Sequence, residues 1–371
     1  MTEPVKSVLH AVQEQAGATF LEDGGWLWTS TLGDPQAEYD AVRTSAGMWD
    51  VFALQKWEVR GPDAARAVQR TFAGNVSTLA VGQVRYAPFV DPSGAMVDDG
   101  TVYKHGEHHY WVMTNGPEFG EYLAGQTADA GITDYSIENR TLAMPVVSVQ
   151  GPRSREILQG LTSTDLGQLR YFRFLPERQT VAGVPVWVLR TGFSGELGFE
   201  LIPDPDRAVE LWQALAAVGV RPFGLDAVEM LRVEAGLVIV GVDYQPGETS
   251  PLDVSMDRML ALSDRDVDAD FVGKHVLAAA AAAPPRRFRT LLVTGDDVPE
   301  YGAPVYRGDE AVGTCTSPVA SPKFGVIGLA VLRTDQASNG NVLEVAVGGG
   351  RVKATVTDLS VHDPDKRKPR G

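Results

Sequence analysis

The chain has a single cysteine among its 371 residues, Cys315 in "GTCTSP". One thiol excludes an internal disulfide framework and any cysteine cluster for zinc or iron and sulfur, and it points to a reducing, cytoplasmic setting. Positive charge is also short: 33 Lys and Arg stand against 48 Asp and Glu, a net charge of -15. Nucleic acid and anionic membrane surfaces both require a basic field, so neither is expected as a partner, and a small molecule or neutral partner fits better. No run approaches the ~18 apolar residues of a membrane span. The opening "MTEPVKSVLHAVQEQAG" has an acidic residue, no apolar core and no small-residue cleavage pattern, so it reads as an amphipathic helix rather than a signal. What remains is 44% hydrophobic and 22% charged, an ordinary globular composition. The length suits roughly two or three domains.

Within that composition, two designs repeat. "KWEVRGPDAARAVQR" and "VVSVQGPRSREILQG" each read as a short alternating strand, a Gly-Pro pair suited to a first helical turn, and an amphipathic helix. "HHYWVMTNGPEFGEYLAGQTADAG" and "GELGFELIPDPDRAVELWQALAAVG" each run strand, loop, helix, glycine. Two such halves predict a pair of mixed sheets with helices on one face, an α+β layout. "DADFVGKHVLAAAAAAPPRRF" predicts a helix with an Asp cap that stops at Pro284-Pro285. Beyond it, short strands between glycine-rich turns predict that the last ~85 residues form a small β-barrel or sandwich. The tail "HDPDKRKPRG" reads as exposed coil.

The candidates for chemistry are few. Ser194 in "TGFSGELGFE" lacks the second glycine of a nucleophile elbow, because Glu196 stands there, and it reads as a turn residue. His105, His108 and His109 in "KHGEHHYW" fall at a hairpin tip, so a solvated turn is expected and no metal site. "VGGGRV" precedes no helix and is a hairpin rather than a phosphate loop. Acidic positions are more informative. In "FVDPSGAMVDDGTVYK" the adjacent Asp98 and Asp99 sit inside a strand pattern that disfavours acids. Successive strand side chains point to opposite faces, so one of the pair looks inward or into a cleft in either register. Glu196 and Glu200 flank "LGF" and share one face if that run is a regular strand, where one can meet a ligand. Surface placement or a salt bridge is the plain alternative for all four.

The ordered blocks "EYDAVRTSAGMWDV", "VRGPDA", "YAPFVDPSGAMVDDGTVYK", "YWVMTNG", "VQGPRSREIL", "RTGFSGELGFEL", "FGLDAVEMLRVEAGL", "DFVGKHVL" and "GTCTSPVASPKFGVIGLAVL" carry a resemblance that covers nearly the whole chain. Together they resemble the aminomethyltransferase family typified by the glycine cleavage system T-protein. The resemblance implies a three-domain cloverleaf with folate in a central channel and one-carbon transfer from an amine, ether or thioether donor to tetrahydrofolate. It implies a discontinuous folate-binding α+β domain at 1-52 plus 140-257, a ferredoxin-like α+β domain carrying the catalytic acid at 53-139, and a linker helix with a β-barrel at 258-371. It assigns Asp99 as the catalytic carboxylate, placed to orient the folate nitrogen, accept its proton or balance positive charge. Asn115 and Glu200 match folate-contacting positions, Glu200 accepting from the pterin N-H and amino groups. Phe193 stands where the family often has a tyrosine beside the pterin, and Tyr86 is expected as a wall.

Departures from the family pattern concern the donor and, at Val228, one folate contact. T-proteins carry an early Trp followed by Met-Pro or Leu-Pro, then "DVSHM"; this chain has "GGWLWTSTLGDPQAEY" and "DVFALQK". The arginine expected ahead of "LRxEAGL" is Val228, and the cysteine motif of the iron-sulfur maintenance branch is absent. The expectation is therefore a demethylase of a small methylated amine, ether or thioether, with Trp26, Trp28 and Phe52 as donor-pocket residues beside Trp49. Their plain alternative is filling a domain core. A divergent T-protein, which would take a lipoyl carrier protein as partner, is the second reading, and a noncatalytic folate-binding module is the third.

Overall fold

The computed structural model describes residues 3-371. After a short helix comes the hairpin Thr19–Asp23 and Trp26–Thr31, whose second strand presents Trp26 and Trp28. The segment expected to form one N-terminal helix is helical only over His10–Gln15, because Val5 instead makes a bridge to Trp26 ahead of it. The helix Pro35–Thr44 follows, with Asp34 accepting from the Ala37 amide and Pro35 in its first turn. Both are favoured helix-start devices.

A six-stranded sheet has the order Gln179–Val181, Val184–Leu189, Gly198–Pro203, Val147–Gln150, Gly47–Asp50, Arg221–Pro222, with only the last pair parallel. One face, with Met48, Val147, Val149, Val186, Val188, Phe199 and Leu201, packs on the helices Ser154–Gln159 and Ala208–Ala217. A five-stranded antiparallel sheet has the order Val84–Val90, Met96–Gly106, His109–Thr114, Gln55–Arg60, Ser136–Asn139. Its Trp57, Val59, Val102, Tyr110 and Val112 cover the helices Ala64–Thr71 and Phe119–Asp129.

The opposite faces of the two sheets meet. Trp49, Leu189 and Ile202 from one share a cluster with Val84, Tyr103, Trp111 and Met113 from the other. Each sheet is thus covered on both sides, and a polar residue on the shared faces is buried between them. The repeated units occupy corresponding places, and their glycines are required. Gly61 and Gly151 have φ of 126° and 137°, and a Cβ there would lie 2.6 Å from the Asp134 carbonyl and 2.4 Å from that of Ser45.

The third unit is a closed barrel in the order Arg286–Val293, Gly325–Arg333, Glu310–Ser321, Ala303–Arg307, Val342–Val347, Gly350–Thr357. Cys315 lies in its core, where burial pushes the thiol up to about 12 and leaves it inert. The helix before it runs over Lys274–Ala280 and begins at Gly273, φ 74°, with no Asp side-chain cap. The tail is coil and mostly exposed, as expected, but it is anchored at His362 and Pro369. The amides of Val361 and His362 donate to the Glu234 carbonyl at 3.0 Å, His362 is 8% exposed, and Pro369 is buried. Among the described residues no helix is long and apolar enough to cross a membrane.

Candidate active site

The strand Met96–Gly106 places Asp98 opposite Phe89 and Asp99 opposite Pro88. Alternation turns Asp99, Thr101 and Tyr103 toward the shared core and Asp98 toward the helix-covered face. Because both faces are covered, both acids are buried, at 4% and 8% exposure, so the partner acid is no more a surface residue than Asp99. Asp98 accepts from the Asn115 and Gly116 amides at 2.9 Å each and from Asn115 Nδ2 at 2.6 Å. Asn115 Nδ2 also lies 3.1 Å from the Asp99 carbonyl and 3.2 Å from Asp99 Oδ1, bridging the pair. Tyr86 donates to Asp99 Oδ2 at 2.8 Å and Tyr244 to Oδ1 at 2.5 Å. Burial, with the Asp99 charge beside it, pushes Asp98 up, and burial pushes Asp99 up against the pull of Tyr244, Tyr86 and Asn115. Two adjacent buried acids sharing donors hold a proton well above the usual carboxylate range.

Glu200 and Glu196 do not share a strand face as expected. The strand begins at Gly198, leaving Glu196 in the preceding bend, where it meets Arg43 at 3.2 Å and His362 at 2.5 Å. Glu200, opposite Ser148 and Leu189, points into the shared core, where the Thr191 hydroxyl donates to one of its oxygens. Burial raises Glu200 against the effects of Thr191 and Lys56. Phe193, half-buried, lies in the same cluster as Trp28 and Tyr103.

Lys56 comes from the facing sheet and is wholly buried. Its Nζ donates to the carbonyls of Val51, 3.0 Å, and Phe52, 2.7 Å. Burial pulls the ammonium down to about 7, against Asp50 and Glu200, while burial pushes Asp50 up to about 6. The "DVFALQK" block therefore closes a buried lysine onto its own backbone near Glu200.

Trp26 and Trp28 both contact Phe52, with centroids 5.6 and 5.5 Å away, and Trp28 stacks on Trp49 at 6.4 Å. Trp49 and Phe52 are 8% and 5% exposed, whereas Trp26 and Trp28 are half-buried. Val228 is buried in the shared core, and the next arginine on that helix, Arg232, is held by Asp243 at 2.7 Å and Glu229 at 2.5 Å. Ser194 donates to Gln150 Oε1 at 2.9 Å, a structural bond. At the histidine hairpin Glu107 and His108 are exposed, but His105 packs 3.9 Å from Trp111 and 4.5 Å from Phe174, so it is not a solvated turn residue. No group of three or more His, Cys, Asp or Glu among the described residues is arranged to hold a metal ion. Sequence reasoning missed Tyr244, Lys56 and Thr191. Tyr244 lies in an aperiodic stretch with no local signal. The charged residue in the strand pattern "QKWEVR" was the available sign for Lys56.

A family model described as the GCVT N-terminal domain matches residues 9–264, and the glycine cleavage T-protein C-terminal barrel domain matches residues 286–363. The chain belongs to the glycine cleavage T-protein family. This family member is a transferase enzyme, similar over 98% of its length, at 35% identity, to 99% of the aminomethyltransferase of Saccharopolyspora erythraea. It is 34% identical over 95% of its length to the trimethylamine-oxide aldolase of Ruegeria pomeroyi, covering 46% of that protein. The crystal structure of the aminomethyltransferase T of Bartonella henselae has the same fold, with a TM-score of 0.87 over 97% of this chain and 98% of that one at 22% identity. The T-protein family frame thus holds both the acid pair and the departing "DVFALQK" block.

Proposed function

We propose that the protein is a tetrahydrofolate-dependent one-carbon transferase acting as a demethylase of a small methylated amine, ether or thioether. The observation that carries this reading is Asp99, buried on the shared face with three donors from separate segments: Tyr86, Asn115 and Tyr244. A carboxylate so held is oriented before substrate arrives, which is what a group acting on a proton or a developing positive charge requires.

The residues fit the folate. Glu200 has one hydroxyl partner and spare acceptor capacity in a buried setting, complementary to paired N-H donors of a pterin. Tetrahydrofolate supplies, when bound, the nitrogen that takes up the carbon unit. Glu200 fixes the ring, Phe193 walls it, and Asn115 and Tyr86 hold the Asp99 carboxylate. Asp99 orients the reacting nitrogen and accepts its proton. The division into 1-52 plus 140-257, 53-139 and 258-371 follows the same reading and is supported by the sheet memberships. The demethylase choice rests on the tryptophan-lined "GGWLW" and "DVFALQK" blocks and on the relative named trimethylamine-oxide aldolase.

A T-protein role with a lipoyl carrier partner is the second reading, favoured by the end-to-end match to an aminomethyltransferase. The test incubates the protein with tetrahydrofolate and either a panel of methylated donors or an aminomethyl-loaded lipoyl protein, reading folate products by mass. Product with a small donor is the expected result. Product only with the lipoyl protein moves the assignment to the second reading, and folate binding without product from any donor leaves a noncatalytic module.

A further inference from the structure

Tyr244, which donates to Asp99, lies in a stretch of turns, residues 237-256, that contains neither helix nor strand. Two anchors fix that stretch. On one side the Gly247 amide donates to the Met96 carbonyl at 2.7 Å and the Met96 amide to the Thr249 carbonyl at 2.9 Å, tying it to the start of the strand that carries the acid pair. The other anchor is Asp243, buried immediately before Tyr244. Its Oδ2 accepts from Arg232 Nη1 at 2.7 Å and the Ile239 amide at 2.9 Å, and its Oδ1 from the hydroxyls of Thr316 at 2.5 Å and Ser317 at 2.6 Å. Arg232 Nη2 also donates to Ser317 Oγ at 2.7 Å, which closes a ring of three buried groups.

The two hydroxyls reach one carboxylate because the barrel strand Glu310–Ser321 is irregular there. Successive residues of a regular strand point to opposite faces. Here Cys315 pairs with Ala330 and Ser317 with the adjacent Leu329, so Thr316 is an extra residue in the ladder. Such a bulge re-aims side chains, and this one turns Thr316 and Ser317 together onto Asp243 while Cys315 stays in the barrel core. The turn beyond Asp243 is tight: the Gly241 amide donates to the Tyr244 carbonyl at 2.8 Å, and Val240 bridges to Tyr244. A displacement of Asp243 is therefore passed to the Tyr244 ring.

We propose that Thr316 and Ser317 are positioning residues, which act through Asp243 and Tyr244 to set the hydrogen bond on Asp99 and so let the barrel tune the acid of the site. The inference rests on Asp99 as the acid of the folate reading above. A hydroxyl-to-carboxylate bond weakens steeply with length and angle, so a small shift of Tyr244 is felt at Asp99. Burial raises Asp99, Tyr244, Tyr86 and Asn115 lower it, and the Asp243 charge raises it, with Asp98 titrating beside it. On the far side Asp243 faces Arg232, itself paired with Glu229, to which Tyr301 donates.

The test is a titration of the Asp99 carboxyl by carbon NMR on the full chain labelled at aspartate, assigned with Asp99→Asn and read without folate or donor. Asp243→Asn would strand the buried Arg232 charge, so the hydroxyls are the informative positions. Thr316→Val with Ser317→Ala should move the Asp99 midpoint upward by roughly 0.3 to 1 pH unit. Thr316→Ser, which keeps the hydroxyl, should hold the midpoint in place. In a Tyr244→Phe background the same pair of changes should add nothing, because the bond they act through is gone. A lowered Tm with an unmoved midpoint reduces the two hydroxyls to a structural role and overturns the proposal. A shift that persists in full in Tyr244→Phe overturns the route through Tyr244. These outcomes leave the folate reading standing. Failure of that reading shows separately, as no folate product from any methylated donor or lipoyl protein while the Tyr244-dependent shift is still seen.

Discussion

The Tyr244 hydroxyl donates to Asp99 Oδ1 at 2.5 Å, although the two residues are 145 positions apart. Tyr86 holds the other oxygen at 2.8 Å. Both bonds favour the ionised carboxylate and offset part of the burial that raises it. Tyr244→Phe should therefore raise Asp99 further and move the acid limb of the kcat/KM profile to higher pH. A limb that stays in place, or moves down, would remove Tyr244 from the machinery.

Asp99→Asn should keep folate binding and lose turnover by on the order of a hundredfold or more, as for a group acting mainly in the transition state. Asp98→Asn should act differently. Its oxygens accept from three backbone amides and from the Asn115 side chain, so an amide in its place costs ~1 to 3 kcal/mol in denaturant stability and loosens Asn115. If Asp98→Asn is the more damaging variant in turnover while folding normally, the roles of the pair are reversed.

Glu200→Gln should weaken tetrahydrofolate by ~1.5 to 3 kcal/mol through loss of a charge-assisted acceptor. Calorimetry on the folded variant decides it. Unchanged affinity would take Glu200 out of the folate site.

Trp26→Ala and Trp28→Ala probe the donor. The rings flank Phe52 and remain half-buried, unlike Trp49. A stacking or cation-π role is worth ~0.5 to 2 kcal/mol and predicts a raised KM for the donor with little change for folate. Equal loss for both substrates, with a lowered Tm, would return these residues to the core.

Lys56 sets a pH dependence of stability. Its folded value, about 7, lies below its ordinary 10.5, so the stability tied to its neutral form is present above 10.5 and lost as pH falls through about 7. Relative to Lys56→Met, the unaltered protein should gain stability between about pH 7 and 10.5. A difference in Tm that is flat across that window would mean the ammonium is not penalised by its burial.

Local pattern determined a good deal by itself. The two strand, Gly-Pro, helix units, the barrel strands and the alternation that turns Asp99 away from Asp98 follow from period-two and helical spacing within about ten residues. Family motifs singled out Asn115, Tyr86, Glu200 and Phe193, three of which lie on or beside the shared face. Only the tertiary structure decided that both faces of the five-stranded sheet are covered, which buries Asp99 and Lys56, on the face shared with the other sheet, at positions that would face water if only the helices covered it. It also brought Tyr244 to Asp99 and fastened the charged tail to Glu234 and Arg190. Neither segment has a periodicity to read. Their places are set by long-range hydrogen bonds and burial, and those terms exist only once the chain has closed on itself.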